Sequence, residues 1–501
     1  MKNLEASTRE DSEKLMSIKP RMTGAAGRKY MTLAGLIVIA GALLCVRPAM
    51  AQDVKSYTRA TFDQWLAKYK DAKPDFKVGD VLTAKDLERM RPFIFPGYLE
   101  QLNFPEFKAT IGAPVDHTPR RDYMACTEKY QSQVKLLPNH TVANWVCGQP
   151  FPNSSITEGD PDSGWKAVWN YEARWQNFGF SCYAPATWDR FGGTHDIPQW
   201  ELPPSDWTAN AGWTESGVRP AIPSPEVMKL IYGGGGNFQR TLDAFYRKVF
   251  YTRLAMLENH TLPVPGAAQF EFKEFTGFYS PFDIRGTAFI IYRYVDPFRE
   301  DDGWAYIPNL RRVRRISAEV KSDSLLGTDH TLEDFYSFSG RELEWHWRFL
   351  GWKDQLAVQD SVHPYSYLYG PNGIIPNDTW TMRRFAIEER TPISERHPYK
   401  SVVEDWDSQN YDAWLMEAFD HKDKLWKVWE FQKKWSESYD KGDWMYPINK
   451  GAYSTEFQSV QVLDVQNDRG TIWHVPGGFP NLKGPEAEKL YDINKLEEIH
   501  R

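Results

Sequence analysis

The sequence predicts an α+β fold with one large, curved, mainly antiparallel sheet and helices grouped on one side of it. Segments in which apolar and polar residues alternate recur along the chain after its first hundred residues, mostly joined by short turns. Helical spacing is confined to a few shorter segments. Aromatic residues make up 15% of the chain, with 21 tryptophans, and rings of this size suit a broad sheet wrapped around a core or cavity. Together these patterns indicate a large, mainly antiparallel sheet.

Four segments carry helix signals. The first has apolar residues at the spacing of one helix face, at Phe62, Trp65, Leu66 and Tyr69. A second helix opens with a sequence like a capping box at Thr83 to Asp86. Ser224 followed by Pro225 begins a third helix, which ends at Gly233. Residues 484–499 predict a last helix.

The strand segments are clearest in the second half of the chain. In residues 341–352, the charged positions alternate with Leu343, Trp345, Trp347 and Phe349. Residues 286–296 alternate with apolar or aromatic residues on both faces, which predicts a strand covered on both sides. Residues 413–431 predict a hairpin that turns at Asp420 to Lys424.

The first fifty residues have the features of a secretory signal peptide. An apolar run from Met31 to Val46 follows Arg28 and Lys29, and Ala49-Met50-Ala51 fits a cleavage site. The run is shorter than the ~20 residues that a spanning helix needs. We therefore expect a signal peptide at residues 1–51, cleaved after Ala51, no membrane span in the mature chain, and a single domain at 52–501 whose segment from about 52 to 105 is helical.

The charge and the motifs exclude several classes of protein. The formal net charge is −7, and a negative chain repels the phosphate backbone, so we expect no nucleic-acid partner. Histidine pairs at zinc-binding helical spacing, Cys-x-x-Cys pairs and a nucleophile elbow do not occur in the sequence. The sequence thus predicts no metal, no cofactor and no enzymatic activity.

Three cysteines follow the predicted signal peptide: Cys126, Cys147 and Cys182. In an oxidising compartment one pair can form a disulfide and the third is left over. Residues 127–146 resemble two strands around a turn at Pro138 and Asn139. A bridge between Cys126 and Cys147 would close the open end of that hairpin, so it is favoured among the three pairings, which all stay open.

Four arginines within five positions, Arg311, Arg312, Arg314 and Arg315, raise the question of what holds them. A nucleic-acid contact is disfavoured by the net charge and by the alternation, which divides the four between two strand faces. The preferred interpretation is structural: the guanidinium groups pair with neighbouring carboxylates, among them Asp301, Asp302, Asp323 and Asp329. The alternatives are an anionic ligand group bound by one face, and catalysis by paired carboxylates, Asp301 with Asp302 or Asp323 with Asp329.

Residues 281–340, "PFDIRGTAFIIYRYVDPFREDDGWAYIPNLRRVRRISAEVKSDSLLGTDHTLEDFYSFSG", closely resemble the signature of a secreted bacterial family, domain of unknown function 1329. The upstream "NWVCGQPFP" and "DPDSGWKAVWN" and the downstream "AFDHKDKLWKVWEF" resemble further blocks of it, so the resemblance covers essentially the whole mature chain. It implies a LolA/LolB-like fold, which is a curved antiparallel sheet like an unclosed barrel with helices covering its concave face. It also implies a Gram-negative periplasmic protein that works with a resistance-nodulation-division-type transporter and an outer-membrane partner. The family offers no catalytic residue to transfer.

These observations lead to the hypothesis of a periplasmic binding or shuttle protein for a hydrophobic or amphiphilic, lipid-like molecule. The candidate cavity lining consists of aromatic strand residues: Tyr292, Tyr294, Trp304, Tyr306, Trp345 and Trp347. The Asp/Arg cluster of residues 301–329 is expected to form either a polar rim or a structural ladder. An enzyme acting on an apolar substrate in the same cavity, and an adaptor that binds no small molecule, are the alternatives.

Overall fold

A computed structural model describes residues 54–175, 179–183, 185–189, 223–233, 237–316, 321–370, 373–438, 451–475 and 491–496. The predicted signal peptide and most of the predicted last helix lie outside these residues. The described part of that last segment contains a 3₁₀ turn, Ile493–Lys495.

Short helices occur along the described residues. They are α1 Arg59–Tyr69, α2 Leu87–Met90, α3 Pro96–Leu99, α4 Arg121–Tyr130, α5 Ser163–Glu172 and α6 Pro225–Ile231. Thr58 and Thr61 form a capping box at α1, and the Ser224 hydroxyl accepts from the Val227 N–H at α6. The predicted helices at residues 62–69 and 225–231 are therefore confirmed, and the helix predicted from Thr83 is a 3₁₀ turn, Ala84–Asp86, that continues into α2.

Strands provide most of the regular structure. In chain order they are β1 Val81–Thr83, β2 Lys108–Gly112, β3 Lys135–Leu136, β4 Val142–Ala143, β5 Gly179–Tyr183, β6 Pro185–Asp189, β7 Asn237–Thr241, β8 Asp243–Phe250, β9 Phe270–Ser280, β10 Ala288–Tyr294, β11 Asp302–Ile307, β12 Arg312–Ile316, β13 Trp345–Ala357, β14 Leu368–Tyr369, β15 Ile375–Pro376, β16 Thr379–Pro392, β17 Ser401–Asp407, β18 Ala413–Phe419, β19 Leu425–Trp435, β20 Thr455–Asp464 and β21 Arg469–His474. The predicted strands at 286–296 and 341–352 correspond to β10 and β13, and the predicted hairpin at 413–431 corresponds to β18 and β19.

Two large sheets carry the fold. The larger has the order β1-β2-β16-β17-β18-β19-β20-β21-β6-β7, with β13 also paired to β16. Its pairs are antiparallel except for β2 with β16, and its end strands β1 and β7 leave it unclosed. A six-stranded sheet has the order β12-β11-β10-β9-β8-β5, so β12 is an edge strand. The predicted α+β class with a large, unclosed, mainly antiparallel sheet is confirmed.

Both faces of the larger sheet are covered. On one face, α1 to α3 pack Phe62, Phe95 and Leu99 against strand residues such as Trp380 and Trp414. On the other face, α5 and one side of the six-stranded sheet form a second core. The other side of the six-stranded sheet packs against α6. Residues of β16 to β19 are therefore divided between the two cores, which explains why buried apolar residues occur on both faces of these strands.

Helix α5 lies very close to the larger sheet, and a glycine permits it. A Cβ at Gly164 would lie 2.6 Å from the backbone of Trp347 and Arg348 in β13, so a larger residue there would push the helix away. In the part of the chain that the structure describes, no helix has the length and apolar character to cross a bilayer.

Candidate functional site

An open cavity lies at the end of the six-stranded sheet, where β8 ends and β9 begins. Its empty space is about 480 Å³, part of which is solvent at the mouth. The walls come from α4, the segment after β4, the last turn of α5 and the loop after β8. The lining includes Tyr123, Trp145, Gly148, Glu172, Arg174, Trp175, Phe250, Thr252, Arg253, Leu254 and Glu271.

Aromatic rings form the apolar part of these walls. The Trp145 Nε1–H donates to the Gly148 carbonyl at 2.9 Å, and the Trp175 Nε1–H donates to the Ala452 carbonyl at 2.7 Å. The Tyr123 hydroxyl donates to the Ala173 carbonyl at 2.9 Å. Because their polar atoms are already hydrogen-bonded within the protein, these rings offer apolar surface to a guest molecule.

Arg253 provides a cation that the protein itself pairs only weakly. Its guanidinium carbon lies 3.7 Å from the centre of the Trp145 ring. The nearest carboxylate contact, to Glu271 Oε2, is 3.9 Å, which is too long for a hydrogen bond. Burial lowers the pKa of Arg253 from its ordinary value, because desolvation disfavours the charged form. An anion in the cavity would relieve this cost.

A second guanidinium and a carboxyl group lie beside it. Arg174 Nη1 donates to the Tyr171 carbonyl at 2.7 Å, and Arg174 Nε lies 3.5 Å from Asp412. Burial, followed by the charges of Glu342 and Glu271, raises the pKa of Glu172 to about 8. Glu172 is therefore harder to ionise than an exposed carboxyl group, and Glu271 is the other acidic residue of the lining.

The Cys126–Cys147 disulfide braces one wall, with its Cα atoms 5.7 Å apart. The hairpin predicted for residues 127–146 is wrong in its first half, because Cys126 lies in α4 and the strands β3 and β4 have only two residues each. The disulfide thus joins a helix to the loop after the hairpin. The backbone of the third cysteine, Cys182, lies in β5, and its side chain is outside the described structure.

Next to the disulfide, Gly148 has a left-handed backbone with φ +73°, and a Cβ there would lie 2.5 Å from the Thr127 backbone nitrogen. This position in the cavity wall therefore requires glycine. His260 lies beside the disulfide. Its Nε2 is 3.9 Å from Cys147 Sγ and its Nδ1 is 3.2 Å from the Leu254 carbonyl.

Trp345 and Trp347, proposed from the sequence as cavity lining, lie instead in the core beneath α5. Their exposed fractions are 1% and 5%. The Trp347 ring centre is 4.9 Å from that of Phe338, and its Nε1–H donates to the Glu342 carbonyl at 2.9 Å. The predicted alternation of β13 is correct, but its apolar face is filled by protein side chains.

The other four aromatic candidates also lie away from this cavity, on the six-stranded sheet. Three of them, Tyr292, Trp304 and Tyr306, belong to or pack against the core with α6. The Tyr292 ring centre is 4.9 Å from that of Trp304, and the Tyr292 hydroxyl donates to the Tyr491 carbonyl. The Tyr294 hydroxyl donates to Asp302 at 2.6 Å. Their rings are therefore used in packing or hydrogen bonding within the protein.

Asp301 lies at the centre of a buried cluster of cations. Arg293 Nη2 is 2.9 Å and Arg341 Nη1 is 3.7 Å from its carboxylate, and the Lys321 ammonium also contacts it. Burial alone would raise the pKa of Asp301, but the positive charges of Arg293 and Lys321 hold it well below its usual range. Asp301 has a structural environment, with cations other than the four neighbouring arginines.

The four arginines are divided between two environments. Arg315 forms an ion pair with Asp302, although its side chain is 72% exposed. Arg311 has a left-handed backbone in the turn before β12, and Arg312 and Arg314 share one face of that edge strand. These last three side chains are exposed, and no ion pair holds them in the part of the chain that the structure describes. The carboxylate ladder predicted from the sequence therefore accounts for Arg315 alone.

The structure separates the two aspartates proposed as a pair. Asp329 is buried and accepts from Arg469 Nε at 3.0 Å and from Nη2 at 2.7 Å. Asp323 is exposed, in a turn. This arrangement gives Asp329 a structural partner and does not resemble a catalytic carboxylate pair.

Sequence reasoning missed the cavity residues. Helix α5 has a detectable signal, because Trp165, Val168 and Trp169 are spaced as one helix face and are buried. That signal would have placed Arg174 and Trp175 just after a helix. Arg253 follows a strand with a left-handed φ of +60°, and its neighbours carry no pattern that predicts a site.

Three solved structures are distantly similar to this chain. A putative outer membrane lipoprotein-sorting protein domain from Vibrio parahaemolyticus is 16% identical, with 68% of this chain and 100% of that chain covered and a TM-score of 0.39. A DUF1329 family protein from Desulfovibrio piger is 14% identical, with the same shares covered and a TM-score of 0.40. A LolA superfamily protein from Nitrosomonas europaea is 10% identical, with 64% and 93% covered and a TM-score of 0.32.

No curated protein is significantly similar to the sequence. The model of the family described as "Protein of unknown function (DUF1329)" matches residues 81–192 and 226–492, which is most of the chain. This match confirms the resemblance seen in residues 281–340 and in the flanking blocks. The chain therefore belongs to the DUF1329 family.

Proposed function

We propose that this protein binds or carries an amphiphilic molecule with an anionic group, in the periplasm and in the service of an envelope transport system. The observation that supports the proposal is the cavity at the end of the six-stranded sheet, where aromatic rings surround the weakly paired guanidinium of Arg253. The predicted signal peptide supports the location, and the family resemblance suggests the transport system.

Each part of such a ligand has a matching surface. Its apolar part would lie against Trp145, Trp175 and Phe250, gaining about 25 cal/mol per Å² of buried apolar area. Its anionic group would accept from Arg253, a charge-assisted interaction that suits a carboxylate. The Thr252 hydroxyl is buried without a partner among the described residues and offers a further hydrogen bond.

A titration with two matched ligands tests this proposal. Dodecanoate and dodecanol share an alkyl chain, and only the former carries a carboxylate. Replacing Arg253 with Met should weaken dodecanoate binding by about tenfold or more, because a charge-assisted hydrogen bond contributes roughly 1.5–3 kcal/mol. Dodecanol binding should change little. The control is Arg396→Met, at an exposed arginine in the loop between β16 and β17.

Equal affinity of the wild type and Arg253→Met for dodecanoate would contradict the proposed site. The same samples test the two alternatives. Mass spectrometry of recovered ligand should show it chemically unchanged, and conversion would indicate an enzyme. A protein that captures its transporter partner but ignores both ligands and other lipophilic probes would be an adaptor.

A further inference from the structure

One end of the six-stranded sheet presents apolar side chains to solvent. Phe282, in the loop between β9 and β10, is 91% exposed, the highest value for a large apolar side chain among the described residues. Leu310, in the turn between β11 and β12, is 51% exposed, and Ile307 at the end of β11 is 36% exposed. Exposed apolar residues at loop tips lower the solubility of a protein. A group of them on one surface therefore indicates an interaction site.

The strand register brings the two loops to the same end of the sheet. Ala288, the first residue of β10, pairs with Gly277 of β9 on one side and with Tyr306 of β11 on the other. The β9–β10 loop and the β11–β12 turn therefore leave neighbouring strands side by side. We call this end the tip surface and define it by the apolar residues Phe282, Ile307 and Leu310 and the arginines Arg285, Arg311, Arg312 and Arg314.

Arginines that form no ion pair with any described residue surround these apolar residues. Arg311 lies in the turn itself, and Arg312 pairs with Ile307 across the strands, so their side chains share a face. Arg314 follows two residues later on the same face of the edge strand, about 6.7 Å further along. Arg285, in the β9–β10 loop, is also exposed. The acidic residue of that loop, Asp283, is paired with Arg240 at 2.6 Å.

The charge of this region contrasts with that of the whole chain, whose formal net charge is −7. An acidic protein that displays several arginines on one surface, with no carboxylate partner among the described residues, is matched to an anionic partner. A protruding aromatic ring beside arginines fits a layer of anionic head groups over acyl chains, because the ring can enter the interface while the guanidinium groups contact phosphates.

We propose that the tip surface docks onto a membrane containing anionic phospholipids. Phe282 and Leu310 enter the interface, and Arg311, Arg312 and Arg314 contact the lipid phosphates. Membrane binding through the tip surface is peripheral and reversible. It does not require the cavity at the other end of these strands. A carrier would use it to approach the membrane from which its ligand is taken or to which it is delivered.

Vesicle co-sedimentation of the full mature chain tests the proposal. The vesicles are phosphatidylcholine alone, or phosphatidylcholine mixed with phosphatidylglycerol, each at low and at physiological salt. The wild type should sediment with the anionic vesicles, less so at higher salt, and not with the neutral ones. Arg311→Gln, Arg312→Gln and Arg314→Gln combined should weaken binding by on the order of a hundredfold, from roughly fivefold for each arginine near an anionic surface.

The apolar contribution is tested separately. Phe282→Ser combined with Leu310→Ser should weaken binding by at least about tenfold at either salt concentration, because two apolar side chains no longer enter the interface. The matched control is Ile393→Ser with Arg396→Gln, an exposed apolar residue (53% exposed) and an exposed arginine in a different loop. The control variant should bind vesicles like the wild type.

Three results would overturn the proposal. These are equal binding to neutral and anionic vesicles, wild-type binding by the triple arginine variant, and binding to soluble polyglutamate without binding to vesicles. The last result would assign the tip surface to an acidic protein partner. All substituted side chains are exposed, and circular dichroism spectra that match the wild type verify that the variants are folded.

Discussion

At the scale of single residues, side chains of the same type that are close in sequence lie in different environments. Asp301 and Asp302 are adjacent, yet the first is buried among three cations, whereas the second pairs with Arg315 near the surface. A buried carboxylate with partners on several sides stabilises the fold only while all of them remain. Sequence proximity of opposite charges therefore did not identify the pairs that form.

The two aspartates at 323 and 329 give a matched test of this difference. Asp329→Asn removes the charge that Arg469 contacts in a buried setting and should lower the free energy of unfolding by about 1–3 kcal/mol. Asp323→Asn, at an exposed position, should change it by less than about 0.5 kcal/mol. Denaturant unfolding of the two variants measures both values. Similar values for the two variants would contradict the structural role of Asp329.

At the scale of elements, the disulfide between α4 and the loop after β4 positions one wall of the cavity. The bridged cysteines are 21 positions apart in sequence. Replacing both with Ser should lower the free energy of unfolding by about 3 kcal/mol, mainly through the entropy of the unfolded chain. Dodecanoate binding should weaken as well, because Gly148 and Trp145 lie beside Cys147. Thermal unfolding and the same titration measure both effects, and a variant with unchanged affinity would show that the wall does not need the bridge.

The elements also show what the sequence can predict. Helices α1 and α6 and strands β10, β13, β18 and β19 were predicted because capping residues and alternation act over short distances. Helix α4 was missed because β-branched and aromatic residues beyond it suggested strands. The cavity was not predicted because its walls come from segments far apart in sequence, such as Trp175 and Arg253. Likewise, alternation placed Trp345 and Trp347 on one apolar face of β13 but could not show that α5 fills the space above it.

At the scale of the whole molecule, the interior contains many buried carboxyl groups. Burial raises the pKa of Glu172 and Glu417 to about 8 and that of Glu404, Asp405 and Glu456 to about 7. In the unfolded chain these groups lose their protons near pH 4 to 4.5. Between about pH 5 and 8 the folded protein therefore holds protons that the unfolded chain has released.

This difference sets the sign of the pH dependence. Stability contributed by the raised pKa values is fully present at low pH and is lost as pH rises through about 7 to 8. We expect the unfolding midpoint in denaturant to fall from pH 5.5 to pH 8 at constant ionic strength. Glu417→Gln, which keeps a neutral group in the same place, should flatten the slope. A midpoint that rises over this range would contradict the protonated state of these carboxyl groups.

The proposed binding site for the guest molecule lies between α4, the end of α5 and the loop after β8. Labelling with a photoreactive fatty acid, followed by mapping of the modified peptides by mass spectrometry, shows where such a guest binds. We expect labels on peptides that contain Trp145, Arg174 to Trp175, and Phe250 to Ala255, and their loss when unlabelled dodecanoate competes. Labels concentrated near Trp345 and Trp347 instead, or spread evenly over the surface, would contradict it.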